Sequence, residues 1–161
     1  MKAVASTAEV LVYKILKRHN EKGWVNWAYE MLVAGYETES LLILAGMRGN
    51  LEYFEMWTLT DKVLKELEID YADQNKVITG YISYIAQRVL SGMESPSVAL
   101  SILKNLYFDL DHEPLLSDFY DLYYAWEDLQ HGEDQWYVAG VDRSNIDQAI
   151  TACFSNAELL R

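Results

Sequence analysis

Apolar side chains recur at every third or fourth position along most of this chain, a spacing that places them on one face of an α-helix. The two clearest stripes are Ile78, Ile82, Ile85 and Val89, and then Ile146, Ile150, Cys153, Ala157 and Leu160. Helix breakers are scarce, since only two prolines and eight glycines occur among 161 residues. The pattern predicts an all-α fold of about eight helices with short loops. We expect one domain, 1–161, because a weak composition boundary near 70–76 would leave two small halves.

Capping and breaking residues set the limits of these predicted helices. The predicted helices cover about 7–20, 24–35, 39–45, 51–69, 76–90, 96–108, 115–130 and 144–160. Ser95 followed by Pro96 is the strongest start signal, because serine caps a first turn and proline fits its first position. Segment 39–45 also fits a buried strand, but we predict a helix because its neighbours are helical. Asn50 is predicted to cap the fourth helix, and 134–139 is expected to be a short strand or an irregular segment.

The formal net charge of −12 is concentrated in the last third of the chain. Segment 105–142 contains ten acidic and nine aromatic residues but no lysine or arginine. Nucleic acids and anionic membranes bind positive surfaces, so we expect neither as a partner of this segment. A basic protein is the partner that this charge favours.

Several features of the sequence favour a cytoplasmic protein. Cys153 is the only cysteine, so it forms no intramolecular disulfide, and on the stripe of the last helix we interpret it as an inert buried thiol. The first residues lack the apolar run of a secretory signal. No apolar stretch approaches the roughly 20 residues that span a bilayer.

The predicted helix 115–130 has two faces of different character. At about 100° per residue, its core face consists of Leu115, Phe119, Leu122, Trp126 and Leu129. The opposite face carries two tyrosines and three acids, namely Tyr120, Asp121, Tyr124, Glu127 and Asp128. An ordinary solvated surface accounts for these residues about as well as a binding face does. As a binding face they would dock a basic protein, because tyrosine offers contact area with little loss of rotamer freedom.

Four more acids would extend the attraction of that face over a longer range. These residues are Asp109, Asp111, Glu133 and Asp134. We expect no catalytic residue, metal ion or cofactor, because the chain lacks a Gly-x-Ser-x-Gly elbow, a phosphate-binding glycine loop and a zinc-binding spacing. The five tryptophans are interpreted as core and interface residues.

Two alternative functions remain open from the sequence. An enzyme would hold a divalent metal with Asp109, Asp111, His112, Asp118 and Asp121, since carboxylates and imidazole are common metal ligands. The helix dipole also favours acids near a helix start, which explains the same residues without a metal. A nucleic-acid mimic would instead space its carboxylates like phosphates and compete with DNA for a basic protein.

Three short segments, 41–46 (LLILAG), 54–67 and 121–124 (DLYY), are similar to parts of a known group of proteins. The chain resembles the small acidic helical immunity proteins of bacterial polymorphic toxin systems. Nuclease inhibitors of that group present paired tyrosines beside acids to their toxins, and segment 121–124 is similar to that arrangement. The resemblance implies a non-enzymatic protein whose tyrosines and acids contact and neutralise a basic toxin domain.

Overall fold

A computed structural model of the chain describes residues 3–49 and 51–158. The helices are α1 (Thr7–Leu16), α2 (Glu21–Val33), α3 (Glu39–Ala45), α4 (Tyr53–Glu66), α5 (Gln74–Leu90), α6 (Pro96–Asp109), α7 (Ser117–His131) and α8 (Ile146–Glu158). A short 3-10 helix, Pro114–Leu116, precedes α7. Within the described ranges there is no strand, and 134–139 is irregular. The prediction of an all-α fold with about eight helices is therefore confirmed.

The chain forms two compact units, 1–77 and 78–161, and the division lies within α5. Each unit has its own set of buried apolar side chains. The sequence boundary near 70–76 lies close to this division, whereas the expectation of one domain stays a prediction. In the parts of both units that the structure describes, no helix has both the length and the apolar character needed to cross a membrane.

In the first unit, α2 packs on α3 and α3 packs on α4. The core contains Trp27, Met31, Leu41, Leu44 and Leu64, each almost completely buried. Helix α3 confirms the prediction for 39–45, because the side chain of Thr38 caps it by accepting a hydrogen bond from the Leu41 amide at 3.2 Å. Side chains at 42 and 43 of the same helix are about half exposed, so α3 buries only one side.

Helix α1 is shorter than the predicted 7–20. Lys17 adopts a left-handed conformation with φ of 53°, and the Arg18 amide donates to the Tyr13 carbonyl at 3.0 Å, which closes the helix. Asn20 belongs to the next helix, since its side chain accepts from the Gly23 amide at 2.9 Å. Helix α4 is also shorter than predicted, and the expected cap Asn50 lies outside the described residues.

In the second unit, α6 packs chiefly against α7, and α7 also packs against α8. Ser95 caps α6 as predicted, because its hydroxyl accepts from the Val98 amide at 3.2 Å, and Pro96 is the first helical residue. The ring centroids of Phe119 and Phe154 lie 5.6 Å apart, and both residues are buried. This unit carries the candidate site.

Two predicted core stripes are partly wrong. Leu115 is 42% exposed whereas Leu116 is fully buried, because Pro114 starts a 3-10 turn, whose register differs from that of an α-helix. Trp126 is only half-buried, and the small Ala125 takes a core position in its place. In α8 the buried residues are Ile146, Ile150, Phe154 and Ala157. Phe154 thus replaces the predicted Cys153, which is half-buried, and Leu160 lies outside the described residues.

Candidate functional site

A tight turn brings the end of α6 beside the start of α7. The amides of Asp111 and His112 donate to the carbonyls of Phe108 at 3.0 Å and Tyr107 at 2.8 Å. Asp111 and His112 both have positive φ values, 55° and 65°, which reverse the chain within a few residues. Aromatic residues from both helices consequently lie on the same side of the hairpin.

Six rings form a continuous aromatic cluster at this hairpin. Its members are Tyr107, Phe108, His112, Tyr120, Tyr124 and Tyr137. The centroids of Tyr107 and Tyr120 lie 4.6 Å apart, and those of Tyr120 and Tyr124 lie 5.0 Å apart. The ring of Tyr137, from the loop after α7, stacks on Tyr124 at 5.5 Å with an interplanar angle of 28°. These separations are typical of favourable aromatic pairs, so the cluster holds its own rings in place.

The structure changes the predicted solvent face of helix 115–130. Tyr120 and Tyr124 are half-buried, because the end of α6 and the loop after α7 cover part of each ring. Burial raises the pKa of Tyr124, and the nearby Tyr120 and Glu127 raise it further. The rings most open to solvent are those of His112, whose side chain is 62% exposed, Phe108, 44% exposed, and Tyr137, 43% exposed. The cluster is therefore a partly covered surface rather than a row of free tyrosines.

Seven predicted acids lie on the same unit as this cluster. Asp121, Glu127 and Asp128 on α7 are half-buried, whereas Asp109, Asp111, Glu133 and Asp134 are exposed. Burial raises the pKa of the Asp121 carboxyl, and the charge of Asp118 raises it further. A carboxyl whose pKa is raised by a neighbouring acid lies in a negative potential, which a cationic partner would relieve.

The predicted metal ligands do not form a metal site. Across 3–49 and 51–158, no group of three or more His, Cys, Asp or Glu side chains is arranged to hold a metal ion. His112 instead packs edge-on against Tyr107, with ring centroids 5.2 Å apart, and its side chain is 62% exposed. Asp109, Asp111 and Asp118 are exposed, and Asp121 is half-buried.

Trp136 is not a core residue, since the structure leaves its side chain 91% exposed. Of the two roles that the sequence suggested, core or interface, only the interface role stays a prediction. Trp136 lies between the acids Glu133 and Asp134 and the clustered Tyr137, in the irregular loop after α7. The sequence did indicate this exposure, because Trp136 lies in a short segment without helical periodicity, and such segments usually lie on the surface.

Sequence reasoning also missed a buried lysine in the first unit. The ammonium of Lys14 lies 3.7 Å from the ring centroid of Trp57 and 2.9 Å from Asp61 Oδ1, and it donates to the Trp57 carbonyl at 3.1 Å. The rings of Trp24 and Tyr71 complete this surrounding at 5.6 and 5.9 Å. Burial lowers the pKa of Lys14, and Asp61 opposes that shift. The adjoining cavity of about 10 Å³ holds at most a water molecule, so this group is structural.

Comparisons with known proteins do not assign this chain to a group. No protein-family model, curated protein or solved structure matches it. The aromatic cluster and its acids therefore have to be interpreted from their own chemistry.

Proposed function

We propose that the aromatic cluster and the acids around it dock a basic protein, and that the chain is a cytoplasmic inhibitor of the immunity type. The observation that carries this proposal is the six-ring aromatic cluster inside a segment, 105–142, that has no lysine or arginine. A surface with this composition attracts cations at long range and offers flat rings at short range.

The packing of the cluster supports a role in binding. Rings that already contact each other lose little conformational freedom when a partner covers them, so more of the contact energy appears as affinity. Phe108, His112 and Tyr137 provide the exposed part of the cluster, and the half-buried Tyr120 and Tyr124 pack against these rings. Buried aromatic residues at the centre of an interface commonly contribute most of its binding energy.

The acids contribute mainly to the rate and selectivity of association. Complementary charge raises association rate constants by about 10-fold or more at low salt, and screening removes much of this effect as salt increases. Asp121 has a further role, because a basic partner would neutralise a carboxylate whose raised pKa reflects an unfavourable surrounding.

A charge-reversal experiment tests the proposal. Asp121→Lys/Asp128→Lys is compared with Glu37→Lys/Glu52→Lys, a control pair on exposed residues of the first unit. Both variants change the net charge of −12 by the same amount, so they differ only in where the charge lies. Each immobilised protein is incubated with lysate from the source cells, and the captured proteins are quantified by mass spectrometry.

We expect a basic protein that wild type and control retain and the site variant loses. With that protein purified, we expect the site variant to associate about 10-fold more slowly at low salt and to show a weaker dependence on salt. A toxic partner should also stop growth when expressed alone and permit growth when this chain is co-expressed. If both variants capture the same basic proteins as wild type, the surface is not the binding site.

Competition with DNA distinguishes the proposed docking surface from a nucleic-acid mimic. An inhibitor that mimics nucleic acid would be displaced from its partner by duplex DNA, whereas docking on the aromatic cluster predicts that partner binding survives saturating DNA.

A further inference from the structure

The loop after α7 has a fixed shape although it contains no regular secondary structure. Gln135 organises it with a single side chain, since its amide nitrogen donates to the carbonyls of Val138 and Val141. The amide oxygen of Gln135 accepts from the backbone amides of Tyr137 and Val138, at 2.8 and 2.9 Å. Four hydrogen bonds join the side chain of Gln135, which precedes Trp136, to the backbone that follows it.

The far end of the loop is anchored in the same way. Arg143 Nε donates to the Leu129 carbonyl at 2.9 Å, which ties the loop to the last turns of α7. The side-chain amide of Asn145 donates to the Gly140 carbonyl, also at 2.9 Å, and Gly140 has a φ of 75° that favours glycine. The loop thus returns to the body of the unit at both ends and leaves Trp136 outside.

The loop therefore presents an indole in a prepared position. Trp136 is 91% exposed, and its neighbour Tyr137 extends the aromatic cluster by stacking on Tyr124. Because the backbone of the loop is held, binding has to order only the two side-chain torsions of the indole, which is a small cost for so large a contact area. The exposed carboxylates of Glu133 and Asp134 precede it by three and two residues.

Aromatic rings and carboxylates together match the side chain of arginine better than that of lysine. The planar guanidinium of arginine stacks on indole and phenol rings and bonds carboxylates through two N–H groups at once. The ammonium of lysine is more strongly hydrated and forms point contacts, so it gains less from a ring at an exposed site. The side-chain types exposed on this loop therefore favour arginine over lysine, although the two have equal charge.

We propose that Trp136 and Tyr137 anchor an arginine side chain of the basic protein partner. This inference rests on the proposed function of the surrounding surface, and it adds the residue type that the surface selects. Glu133 and Asp134 neutralise the guanidinium, while the hydrogen bonds of Gln135 hold the loop backbone that carries the indole.

Two peptides of equal length and charge, octa-arginine and octa-lysine, serve as probes. Their affinities are measured by calorimetry for wild type, Trp136→Ala, Asp121→Lys/Asp128→Lys and the control Phe54→Ala. Phe54 is 78% exposed and lies in the first unit, so its removal matches the loss of an exposed ring elsewhere. The indole N–H resonance of Trp136 reports whether the peptide reaches the loop.

We expect wild type to bind the arginine peptide about 3- to 10-fold more tightly than the lysine peptide. Trp136→Ala should remove this preference while changing the lysine affinity by less than about 2-fold. Phe54→Ala should leave both affinities unchanged, and the indole resonance should shift with the arginine peptide.

Other outcomes separate this inference from the proposed function. Suppose that the charge reversal weakens the binding of both peptides while Trp136→Ala leaves the preference for arginine intact. In that case the acidic surface binds cations, and the proposal of an arginine anchor is wrong. An equal loss of both affinities in Trp136→Ala also overturns the preference for arginine. If neither peptide responds to the charge reversal, the proposed function itself fails.

Discussion

The buried ion pair between Lys14 and Asp61 should respond unequally to removal of its two members. The Lys14 side chain is 1% exposed, whereas that of Asp61 is 41% exposed. Loss of the lysine leaves a carboxylate that water can reach, and that also accepts from the Tyr71 hydroxyl at 2.8 Å. Loss of the carboxylate charge leaves a buried ammonium with only neutral partners.

The burial of the two side chains determines how much stability each variant should lose. Unpairing a buried charge costs about 3–5 kcal/mol. The exposure of Asp61 and the remaining contacts of Lys14 with the Trp57 ring and carbonyl lower that cost, so for Asp61→Asn we expect about 2–3 kcal/mol. Lys14→Met keeps an unbranched side chain as far as Cε and removes the ammonium that lies over the rings, while the Trp57 carbonyl still accepts from the Thr60 hydroxyl at 3.1 Å. We therefore expect Lys14→Met to cost about 0–1 kcal/mol.

Urea unfolding of both single variants and the double variant measures this asymmetry. The double variant should resemble Lys14→Met, because removal of Asp61 has no further cost once the ammonium is absent. Asp61→Asn should also lower the Tm by about 5–10 °C. Glu37→Gln, at an exposed position, serves as the control and should change little. If Lys14→Met destabilises the protein as much as Asp61→Asn does, the ammonium contributes net stability and the reasoning is refuted.

Three further predictions concern the second unit. Asp121→Asn should stabilise the protein at pH 7 by up to about 0.5 kcal/mol while weakening partner binding, because the raised pKa means that stability falls as this carboxyl ionises. This gain in the free energy of unfolding should vanish below pH 3.8, where the carboxyl is protonated in the unfolded chain as well. A gain that stays constant across the pH range would show that ionisation of Asp121 is not its cause. Gln135→Ala should speed hydrogen exchange at the Tyr137 and Val138 amides by about 10-fold, since both amides donate to the side-chain oxygen of Gln135. Unchanged exchange would show that the loop does not depend on this amide. Burial raises the pKa of Cys153 to about 11, so its reaction with a disulfide reagent at pH 8 should be about 100-fold slower than in urea, with Cys153→Ser as the blank. The same shift predicts a loss of stability as pH rises from 9 through about 11, and an ordinary reaction rate in the native protein would refute both statements.

Local sequence signals predicted most of the fold. The start of α6 follows from Ser95 and Pro96, and α3 follows from its apolar run between a capping threonine and a glycine. These features depend on neighbours within one helical turn, which the sequence displays directly. The predicted stripes were wrong by one residue at Leu115 and Cys153, where a 3-10 turn and a larger neighbour changed what is buried.

The site was predicted only in part. The acids and tyrosines of α7 were identified from their helical spacing, but the cover that α6 and the loop give to Tyr120 and Tyr124 depends on the turn at Asp111 and His112. Lys14 was missed because its surrounding comes from rings and a carboxylate that are far away in sequence. Such contacts arise from packing, and no local pattern marks them.

The exposure of Trp136 also gives the protein a built-in optical reporter. Trp24 and Trp27 are buried, Trp57 and Trp126 are half-buried, and the indole at 136 alone among the five is largely in water. A soluble quencher such as acrylamide will therefore act first on the red-shifted emission of this indole. Protection from that quencher makes any event at the loop visible without an attached dye.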